Sequence, residues 1–456
     1  MGIFGLPGIS GSSMEYLSAQ MRRIVTVLIL FSVFAGGIRG QVSGPVLVGY
    51  LHNWDQDNAP YLRPDQVDSR YGIIDIAFAV PAAGTDYQME FIPDQATPAE
   101  FISQVKALQE QGRKVLISLG GAGPVISLDD TTERDSFVVS VMNILDTYGF
   151  DGIDIDFEGS SLTLSGGTIA APVDPPVIHL ISAIREIMRR YYEKHHRRMV
   201  LTMAPETAFV QGGQTSYGGF WGAYLPVIDA LRDSLEVLHV QLYNSGTMYG
   251  LDGHIYEQGT ADFIVAMTEA VIQGFHTDGG WFEGVPARRI AVALPACETQ
   301  ADAGYADTAT AGAAIRYLQG RGPRPGTYTL AHPGGYPDLR GMMTWSINWD
   351  AIAGCGGAYA YAGNYERLFG NTTATPAVHL PCGTITVYPN PAGDLLHIRI
   401  ERTTSTPLQA QMYNTLGEMV LARPLTAREE TLNIAALPKG IYYLRIATFC
   451  RMIIKY

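Results

Sequence analysis

The sequence predicts a (β/α)8 TIM barrel followed by a small C-terminal β-sandwich. First, eight short β-rich runs alternate with amphipathic helical stretches over about 300 residues, which is typical of such a barrel. Second, the pattern then changes to closely spaced short strands. The chain has 456 residues, 47% of them hydrophobic, so it can fill both cores, and general disorder is excluded.

The eight predicted barrel strands are rich in apolar and β-branched residues and are separated by helices and turns. They cover residues 46–50, 73–79, 114–119, 152–157, 200–204, 237–242, 289–294 and 342–346. An open, doubly wound sheet is the alternative topology for such units. No GxGxxG motif follows any of these strands, which favours the closed barrel.

Two of the segments between the strands carry clear sequence signals for a helix. Thr97-Pro98-Ala99-Glu100 forms a capping box with proline at the first helical position, and apolar residues follow it at helical spacing. A second helix begins after Pro175-Pro176 and has an apolar stripe opposite a charged one. Both helices support the alternating pattern of the barrel.

The two ends of the chain differ from the barrel region. In residues 1–40, an upstream segment precedes Met21-Arg22-Arg23, a short apolar run and small residues, which together predict a secretory signal peptide. Residues 371–383 are predicted to be a linker, and residues 384–456 to form the β-sandwich. In the sandwich, eight Lys and Arg residues outnumber five Asp and Glu residues, and this basic tail behind an acidic body indicates separate modules.

Charge and cysteine content exclude several classes of function. The net charge of -13 disfavours a nucleic-acid partner and an anionic membrane surface. Because no stretch is long enough to span a bilayer stably, we expect an exported protein that is soluble or attached to the cell surface. The four cysteines show no CxxC spacing, so a zinc site is not indicated, and their three possible full pairings stay open. We predict no metal and no cofactor.

The most informative segment is DGIDIDFE at residues 151–158. Side chains alternate along a strand, so Asp154, Asp156 and Glu158 share one face and the apolar residues share the other. If the apolar face packs under the helices, the acids enter the barrel and rise to its C-terminal mouth, where barrel enzymes hold their sites. Because these like charges cannot all stay ionised, at least one acid keeps a proton, and Glu158 is placed to be the general acid.

Two other interpretations of these acids remain open. An ordinary amphipathic strand at a sheet edge would turn the acids to solvent and pack only the apolar row. A divalent cation could instead take the carboxylate oxygens as ligands, although no supporting loop pattern is visible.

Four further segments carry motifs in the same order as the predicted strands. They are KVLISLGG at 114–121, LTMAPE at 201–206, QLYN at 241–244 and GMMTWSINWD at 341–350. Together with DGIDIDFE, which fits the signature DGxDxDxE, these segments resemble glycoside hydrolase family 18, the chitinase family. The resemblance extends across the predicted barrel domain, residues 41–370.

The resemblance implies retaining hydrolysis of β-1,4 bonds in chitin or N-acetylglucosamine oligosaccharides, in which the acetamido carbonyl of the substrate attacks the anomeric carbon. Glu158 would protonate the leaving oxygen and then activate water. Asp156 would hold the acetamido nitrogen, Asp154 would share charge with Asp156 as it turns, and Tyr243 would bind the acetamido oxygen. The supporting residues would be Asp151, Ser118, Gly120 and Gly121.

Aromatic and polar side chains predict the sugar-binding surface. Trp345 offers a flat face for a sugar ring, with plain core packing as its alternative role. The other predicted substrate-binding residues are Gln241, Met203, Asn244, Trp54 and Trp221. The 46 residues at 295–340 leave no room for the extra α+β domain that walls a deep groove in some family members. We therefore expect an open cleft and internal (endo) cleavage.

The tail carries VYPNPAGDLLHIRI at 387–400, YNTLGEMV at 413–420 and LPKGIYYLRI at 437–446. These segments resemble the type A C-terminal sorting domain of the type IX secretion system. The resemblance implies an extracellular or cell-surface protein, with the secretion machinery as a partner. A carbohydrate-binding β-sandwich is the alternative, but no tryptophan follows Trp349.

Two alternative functions fit the same barrel. An endo-β-N-acetylglucosaminidase acting on N-glycan cores would share the row of acids, although LTMAPE and the strand bearing Trp345 favour chitin. A non-catalytic chitin-binding lectin typically lacks the terminal acid, whereas this chain has Glu158.

Overall fold

A computed structural model describes residues 44–370, 382–389, 392–402, 408–414, 419–425, 427, 429–446 and 449–455. The chain divides into two compact units, residues 1–370 and residues 371–456. The predicted signal peptide lies outside the described residues, and so does the predicted linker up to residue 381.

Eight parallel strands form the barrel, as predicted. They are β1 (Val46–His52), β2 (Tyr71–Pro81), β3 (Lys114–Gly121), β4 (Gly152–Phe157), β5 (Val200–Met203), β6 (Val237–Leu238), β7 (Ala291–Pro295) and β8 (Gly341–Trp345). They pair in the order β7-β8-β1-β2-β3-β4-β5-β6. Two isolated parallel bridges, from Leu238 to Ile290 and from Gln241 to Ala293, join β6 to β7 and close the ring.

Strand β6 is shorter than predicted. The apolar run 237–242 predicts six strand residues, but the continuous ladder with β5 ends at Leu238. Beyond it, Gln241 makes only single bridges, to Glu206 on one side and to Ala293 on the other. Residues 239–242 are buried without forming a ladder, so burial accounts for the strand-like pattern of the sequence here.

Helices alternate with the strands. They are α1 (Pro98–Glu110), α2 (Thr131–Tyr148), α3 (Pro175–His195), α4 (Leu225–Leu231), α5 (Ala261–Gln273), α6 (Thr308–Leu318), α7 (Ile347–Asp350) and α8 (Ala360–Phe369). The predicted capping box is present, because Thr97 Oγ1 accepts from the Glu100 amide and the Glu100 carboxylate accepts from the Thr97 amide. Within the described part of the chain, no helix has both the length and the apolar character needed to cross a membrane.

Short antiparallel strands also occur in the loops of the barrel. Met89–Glu90 pairs with β2. Two hairpins join Thr247–Tyr249 to Ile255–Glu257 and Phe275–Thr277 to Gly280–Phe282.

Two layers of buried side chains make up the barrel core. The outer layer fills the space between strands and helices, as with Ile153 of β4 and Ile184 of α3. The inner layer fills the ring itself and includes Val48, Ile73 and Met343. Because side chains alternate along each strand, every second residue belongs to the inner layer.

A disulfide joins Cys297, which follows β7, to Cys355, which follows β8. It decides part of the cysteine pairing that the sequence leaves open. The two segments that it joins both leave the C-terminal end of the barrel, so the bond ties together two loops on that side.

The tail forms the predicted β-sandwich. Its strands are β9 (Cys382–Tyr388), β10 (Leu395–Arg402), β11 (Leu408–Tyr413), β12 (Met419–Leu425), β13 (Glu429–Asn433), β14 (Gly440–Ile446) and β15 (Phe449–Lys455). One antiparallel sheet has the order β9-β10-β13 and the other has the order β12-β11-β14-β15. Apolar residues of both sheets, such as Ile398 and Leu444, form one buried cluster.

Candidate active site

Strand β4 places its acids on the inner face of the barrel. Asp154 and Asp156 are buried there, and Glu158 follows the strand and is partly exposed. The opposite face packs against the helices through Ile153, Ile155 and Phe157. The row of acids therefore runs from the barrel interior to its C-terminal mouth.

A cavity of about 430 Å³ opens at this mouth. Nine of the predicted site residues line it: Trp54, Gly120, Gly121, Asp156, Glu158, Gln241, Tyr243, Asn244 and Trp345. They come from the ends of five different strands or from the loops that follow them. The structure thus brings together residues that lie far apart in the sequence.

The Gln241 carboxamide links the two outer acids. Its Nε2 donates to Asp156 Oδ1, Glu158 Oε1 and the Ala204 carbonyl oxygen, each at 2.9 Å. A carboxamide nitrogen has two hydrogens, so the three acceptors share them. Gln241 therefore holds the two carboxyl groups side by side at the cavity.

Burial keeps the outer acids protonated to higher pH than usual. It raises the pKa of Glu158, and the charge of Glu206 adds to this rise while the hydrogen bond from Gln241 opposes it. Burial also raises the pKa of Asp156 well above its usual value, and the charges of Glu158 and Asp154 raise it further. An acid that keeps its proton to higher pH can act as a proton donor over a wider pH range.

Three hydroxyl groups bind the innermost acid, Asp154. Its Oδ2 accepts from Tyr50 at 2.6 Å and from Ser118 at 2.8 Å, and its Oδ1 accepts from Thr202 at 2.7 Å. The parallel register places Ser118, Asp154 and Thr202 side by side on β3, β4 and β5. Both carboxyl oxygens thus act as acceptors, which is the pattern of a carboxylate.

Tyr243 and Asn244 follow the short strand β6. Tyr243 is buried at the cavity, and burial raises its pKa well above the usual value, so its hydroxyl group stays a hydrogen-bond donor. Asn244 has a φ of 53° and exchanges two hydrogen bonds with Ala303: its amide donates at 3.0 Å and its Oδ1 accepts at 3.2 Å. Asn244 therefore also holds the loop after β7 against the site.

An aromatic wall forms one side of the cavity. The Trp345 ring stacks on Phe78 at 5.7 Å between centroids and meets the Tyr50 ring edge-on at 5.5 Å. Trp54 stacks on His52 at 4.5 Å. These contacts fix the rings and leave partly exposed faces of Trp345 and Trp54 on the cavity.

Two glycines at the end of β3 allow the close packing of this site. Gly120 has a φ of +114°, and a Cβ there would lie 2.3 Å from the Asp156 carbonyl oxygen. At Gly121 a Cβ would lie 2.7 Å from the Phe78 ring. Any other residue at these positions would displace an acid or an aromatic ring.

Residues 46–364 match the protein family described as Glycosyl hydrolases family 18. This match covers well over half of the chain. The chain belongs to glycosyl hydrolases family 18. Residues 386–455 separately match the Secretion system C-terminal sorting domain.

Several proteins named as chitinases are similar to this chain. Chitinase Chi52 of Paenibacillus xylanexedens is 46% identical over 310 residues, covering 67% of this chain and 58% of that protein. Exochitinase 1 of Streptomyces olivaceoviridis is 40% identical over 355 residues, covering 74% and 58%. The crystal structure of a family GH18 chitinase from Chromobacterium violaceum matches with a TM-score of 0.65 at 34% identity, covering 74% and 87%. The chain therefore spans less than two thirds of the two curated relatives.

Two residues predicted for this family 18 site lie outside the cavity. Met203 is fully buried in the outer layer of the core, because it alternates along β5 with Thr202, which faces the interior. Trp221 packs on Gly212 and on the Phe220 ring within the loop that follows β5. Both side chains contribute to packing, so we remove them from the proposed site.

Asp151 supports the barrel at a distance from the cavity. It directly precedes β4, whereas Glu158 directly follows that strand. Its carboxylate accepts from the Val115 amide at 3.1 Å and forms an ion pair with Arg197. The acid at the start of the motif therefore fixes the lower end of β4.

Several residues at the site are not among those predicted from the sequence. Glu206, the last residue of LTMAPE, is partly buried, and its charge contributes to the raised pKa of Glu158. An acid three residues beyond the end of a buried strand is a signal that could have identified it. Tyr50, Phe78 and Thr202 give no such signal, because aromatic and β-branched residues are ordinary in core strands.

Proposed function

We propose that this chain is a secreted chitinase that hydrolyses β-1,4 bonds between N-acetylglucosamine units with retention of configuration. The observation that carries the proposal is the partly exposed Glu158 at the cavity, which has a raised pKa and is joined to Asp156 through Gln241. Membership of family 18 and a relative named Chitinase Chi52 support the same reaction.

In this proposal Glu158 acts first as general acid and then as general base. Its carboxyl group gives a proton to the glycosidic oxygen while the bond from that oxygen to the anomeric carbon breaks. The acetamido carbonyl oxygen of the same sugar attacks that carbon and forms an oxazolinium ion. The Glu158 carboxylate then takes a proton from water, whose oxygen attacks the anomeric carbon and restores the acetamido group.

Asp156 and Tyr243 hold the acetamido group in line for this attack. The Asp156 carboxyl group accepts from the acetamido N–H, and the Tyr243 hydroxyl group donates to the carbonyl oxygen. Both side chains are buried and line the cavity, so they need little reorganisation to do this. Because the substrate supplies the nucleophile, no second attacking carboxylate is required.

The aromatic wall serves as the platform for the sugar ring at the cleavage site. Trp345 is positioned by its stacking on Phe78, and its remaining face lines the cavity close to Glu158 and Asp156. Trp54 extends the wall by a second ring. Stacked rings of this kind bind pyranose faces through apolar contact.

We further propose an open cleft and internal cleavage. The structure describes the whole backbone between β7 and β8. This segment contains two helices, α6 and the short helix Glu298–Gln300. This leaves no extra α+β domain to wall the groove. One relative is named Exochitinase 1, so the proposal of internal cleavage rests on the open cleft and not on the relatives. The lengths of the early products test it.

The test is mass spectrometry of the products formed from a soluble N-acetylglucosamine hexamer in heavy-oxygen water. We expect heavy oxygen at the new reducing ends and early products of mixed length in the mass spectra, and retained configuration in proton NMR of the early products. Glu158→Gln should lower turnover by roughly 100- to 10,000-fold and leave hexamer binding intact. Glu110→Gln, on the exposed face of α1, is the matched control and should leave turnover unchanged.

Three outcomes would contradict the proposal. Full activity of Glu158→Gln would remove this residue from the chemistry. Release of glycans from a high-mannose glycoprotein without cleavage of the hexamer would favour the endo-β-N-acetylglucosaminidase. Binding of the hexamer by the wild-type chain without any cleavage would favour the lectin.

We also propose that the tail directs export through the type IX system after the N-terminal signal peptide has led the chain across the first membrane. The match of residues 386–455 to a sorting domain supports this route. A reporter protein fused to residues 384–456, with a standard signal peptide, should reach the medium or the cell surface of a host that has this system. Equal export by a strain that lacks the system would contradict the proposal.

A further inference from the structure

The two tryptophans of the aromatic wall come from separate segments of the chain. Trp54 lies in the loop after β1, and Trp345 is the last residue of β8. The two strands pair in parallel, and the last pair of their ladder is Gly49 with Thr344. Both rings therefore lie beyond the stretch in which backbone hydrogen bonds hold β1 and β8 together.

Side-chain hydrogen bonds join the two segments beyond the ladder. His52 Nε2 lies 2.7 Å from Ser346 Oγ, and the His52 amide donates to Asn348 Oδ1 at 2.9 Å. Asn348 Nδ2 donates to the Pro60 carbonyl oxygen at 3.0 Å. The segment after β8 thus holds the chain both before and after Trp54.

The His52 ring contacts both tryptophans. It stacks on Trp54 with 4.5 Å between centroids and an angle of 8° between the ring planes, and its centroid lies 5.0 Å from that of Trp345. The two tryptophan centroids are 6.3 Å apart, which is farther than either is from His52. One imidazole ring therefore connects the two platforms, and its bond to Ser346 fixes that ring to the segment after Trp345.

Burial makes this connection stiff. The exposed fractions of His52 and Ser346 are 1% and 0%, so water does not compete for the bond between them. Burial also lowers the pKa of His52 to about 4, so the ring is uncharged at neutral pH. A hydrogen bond allows a narrow range of distances and angles, whereas apolar packing has no direction. The polar pair therefore adds orientation to a wall that apolar contact alone would leave less defined.

We propose that His52 and Ser346 are positioning residues that fix Trp54 and Trp345 relative to each other and thereby set the affinity for the sugar chain. Both tryptophans line the cavity, but the two positioning residues do not, so they act through the rings. The inference rests on the proposed function, because the wall is a platform only if the cavity binds N-acetylglucosamine oligosaccharides.

The expected effect is on KM rather than on kcat. Contact between a sugar face and an aromatic ring is present in the bound substrate and in the transition state alike. An interaction that stabilises both states equally lowers KM and leaves kcat unchanged. Misplacing the two rings should therefore weaken binding without slowing the chemical step.

The first test measures kcat and KM on a soluble N-acetylglucosamine tetramer for His52→Phe, Ser346→Ala and the double variant. Phenylalanine keeps a flat ring against Trp54 and loses only the bond to Ser346. We expect each single change to raise KM roughly fivefold, with kcat changed by less than about twofold, because one neutral hydrogen bond is lost. The double variant should raise KM no further, since either change breaks the same bond. A double variant whose rise in KM equals the product of the two single rises would overturn the inference.

The melting temperature separates positioning from stability. Each single change leaves one buried polar group without its partner and should lower the melting temperature, whereas the double variant removes both groups and should melt close to the wild type. We expect the KM of the double variant to stay raised all the same, because its two rings are no longer joined. A KM that returns to the wild-type value together with the melting temperature would show a purely structural role and overturn the inference.

Two further variants show whether the effect passes through the rings. In a chain that carries Trp345→Ala, Ser346→Ala should change KM by less than about twofold, because the ring that it positions is absent. Thr344→Val is the matched control, since Thr344 is fully buried one residue before Trp345 and donates to the Leu294 carbonyl oxygen at 2.9 Å. It should lower the melting temperature without changing KM. A rise in KM as large as that of Ser346→Ala alone, in either case, would contradict the proposed role.

Binding to an inactive chain keeps this inference separate from the proposed function. The dissociation constant of the tetramer is measured by calorimetry for Glu158→Gln with and without Ser346→Ala, and the added change should raise it roughly fivefold. An unchanged dissociation constant would overturn the inference. A wild type that binds the tetramer without cleaving it would contradict the proposed reaction but not the inference. A chain that does not bind the tetramer would overturn both.

Discussion

At the scale of single residues, burial decides which acids keep a proton. Glu158 and Asp156 have raised pKa values because their carboxyl groups leave water and lie close to other acids. Asp154, one step deeper, is compensated by three hydroxyl donors. Neighbouring acids of one strand thus receive different roles from their surroundings.

Glu158→Gln should stabilise the fold at alkaline pH. An acid with a raised folded-state pKa favours folding below its usual pKa, and this contribution is lost as the pH rises through the raised value. The neutral amide avoids that loss, so we expect the melting temperature at pH 8 to rise by roughly 2 °C and that at pH 4 to stay unchanged. Glu110→Gln, an exposed partner of Lys106, should show neither effect. A lower melting temperature of Glu158→Gln at pH 8 would contradict this account.

Gln241→Leu should shift the pH profile of activity. Its amide stabilises the ionised forms of Asp156 and Glu158, so its loss raises both pKa values. We expect the alkaline limb of kcat/KM to move to higher pH and kcat to fall roughly tenfold, as initial rates across pH would measure. Gln214→Leu, whose amide donates to the Tyr249 carbonyl oxygen, is the matched control. A shift of the alkaline limb of kcat/KM toward lower pH would refute this role of Gln241.

At the scale of elements, the site depends on strand ends that approach one another closely. The end of β3 lies against the end of β4, and Gly120 and Gly121 pair with Asp156 and Phe157 in parallel register. The loop after β5 reaches back to the same point, where the Tyr224 hydroxyl oxygen accepts from the Phe157 amide at 2.7 Å. These contacts hold the strand end that carries Glu158.

Gly120→Ala should damage both folding and activity. The positive φ disfavours alanine, and the new Cβ would press on the Asp156 carbonyl oxygen. We expect the free energy of unfolding in urea to fall by roughly 2 kcal/mol or more and activity to drop strongly. Gly123→Ala is the matched control, since a Cβ there has no atom within 4 Å. Equal stability of the two variants would argue against this close approach.

At the scale of the whole molecule, closure of the barrel brings five strand ends to one cavity. The ring closes between β6 and β7 through single bridges, the weakest pairing in the sheet. Nearby, the disulfide between Cys297 and Cys355 ties the loop after β7 to the segment after β8. A disulfide that closes a long loop stabilises a fold mainly by restricting the unfolded chain.

The double change Cys297→Ser with Cys355→Ser should destabilise the chain. The cysteines are 58 residues apart, and closing a loop of this length is worth roughly 2 to 4 kcal/mol. We expect thermal unfolding of the wild type to shift to lower temperature in a reducing agent, and the double variant to resemble the reduced wild type. A double variant that melts at the temperature of the oxidised wild type would show that this bond adds no stability.

Much of the fold and part of the site follow from local patterns. The period of two in DGIDIDFE is enough to place Asp154, Asp156 and Glu158 on one face, and the capping box is enough to start α1 at Pro98. The same rule would have moved Met203 out of the site, because Thr202 and Met203 cannot share a face. Trp221 could not be judged this way, since loops have no regular period.

The sequence by itself determined the barrel, the row of acids, the sorting domain and the family, because these depend on short-range alternation and on contiguous motifs. The tertiary structure alone decided that His52 contacts Ser346 and that Cys297 pairs with Cys355. It also decided that Tyr50 and Thr202 are hydrogen-bond donors to Asp154. The physical reason is register: which side chains meet inside a ring depends on how separate strands align, and no local pattern in one strand records the alignment of the others.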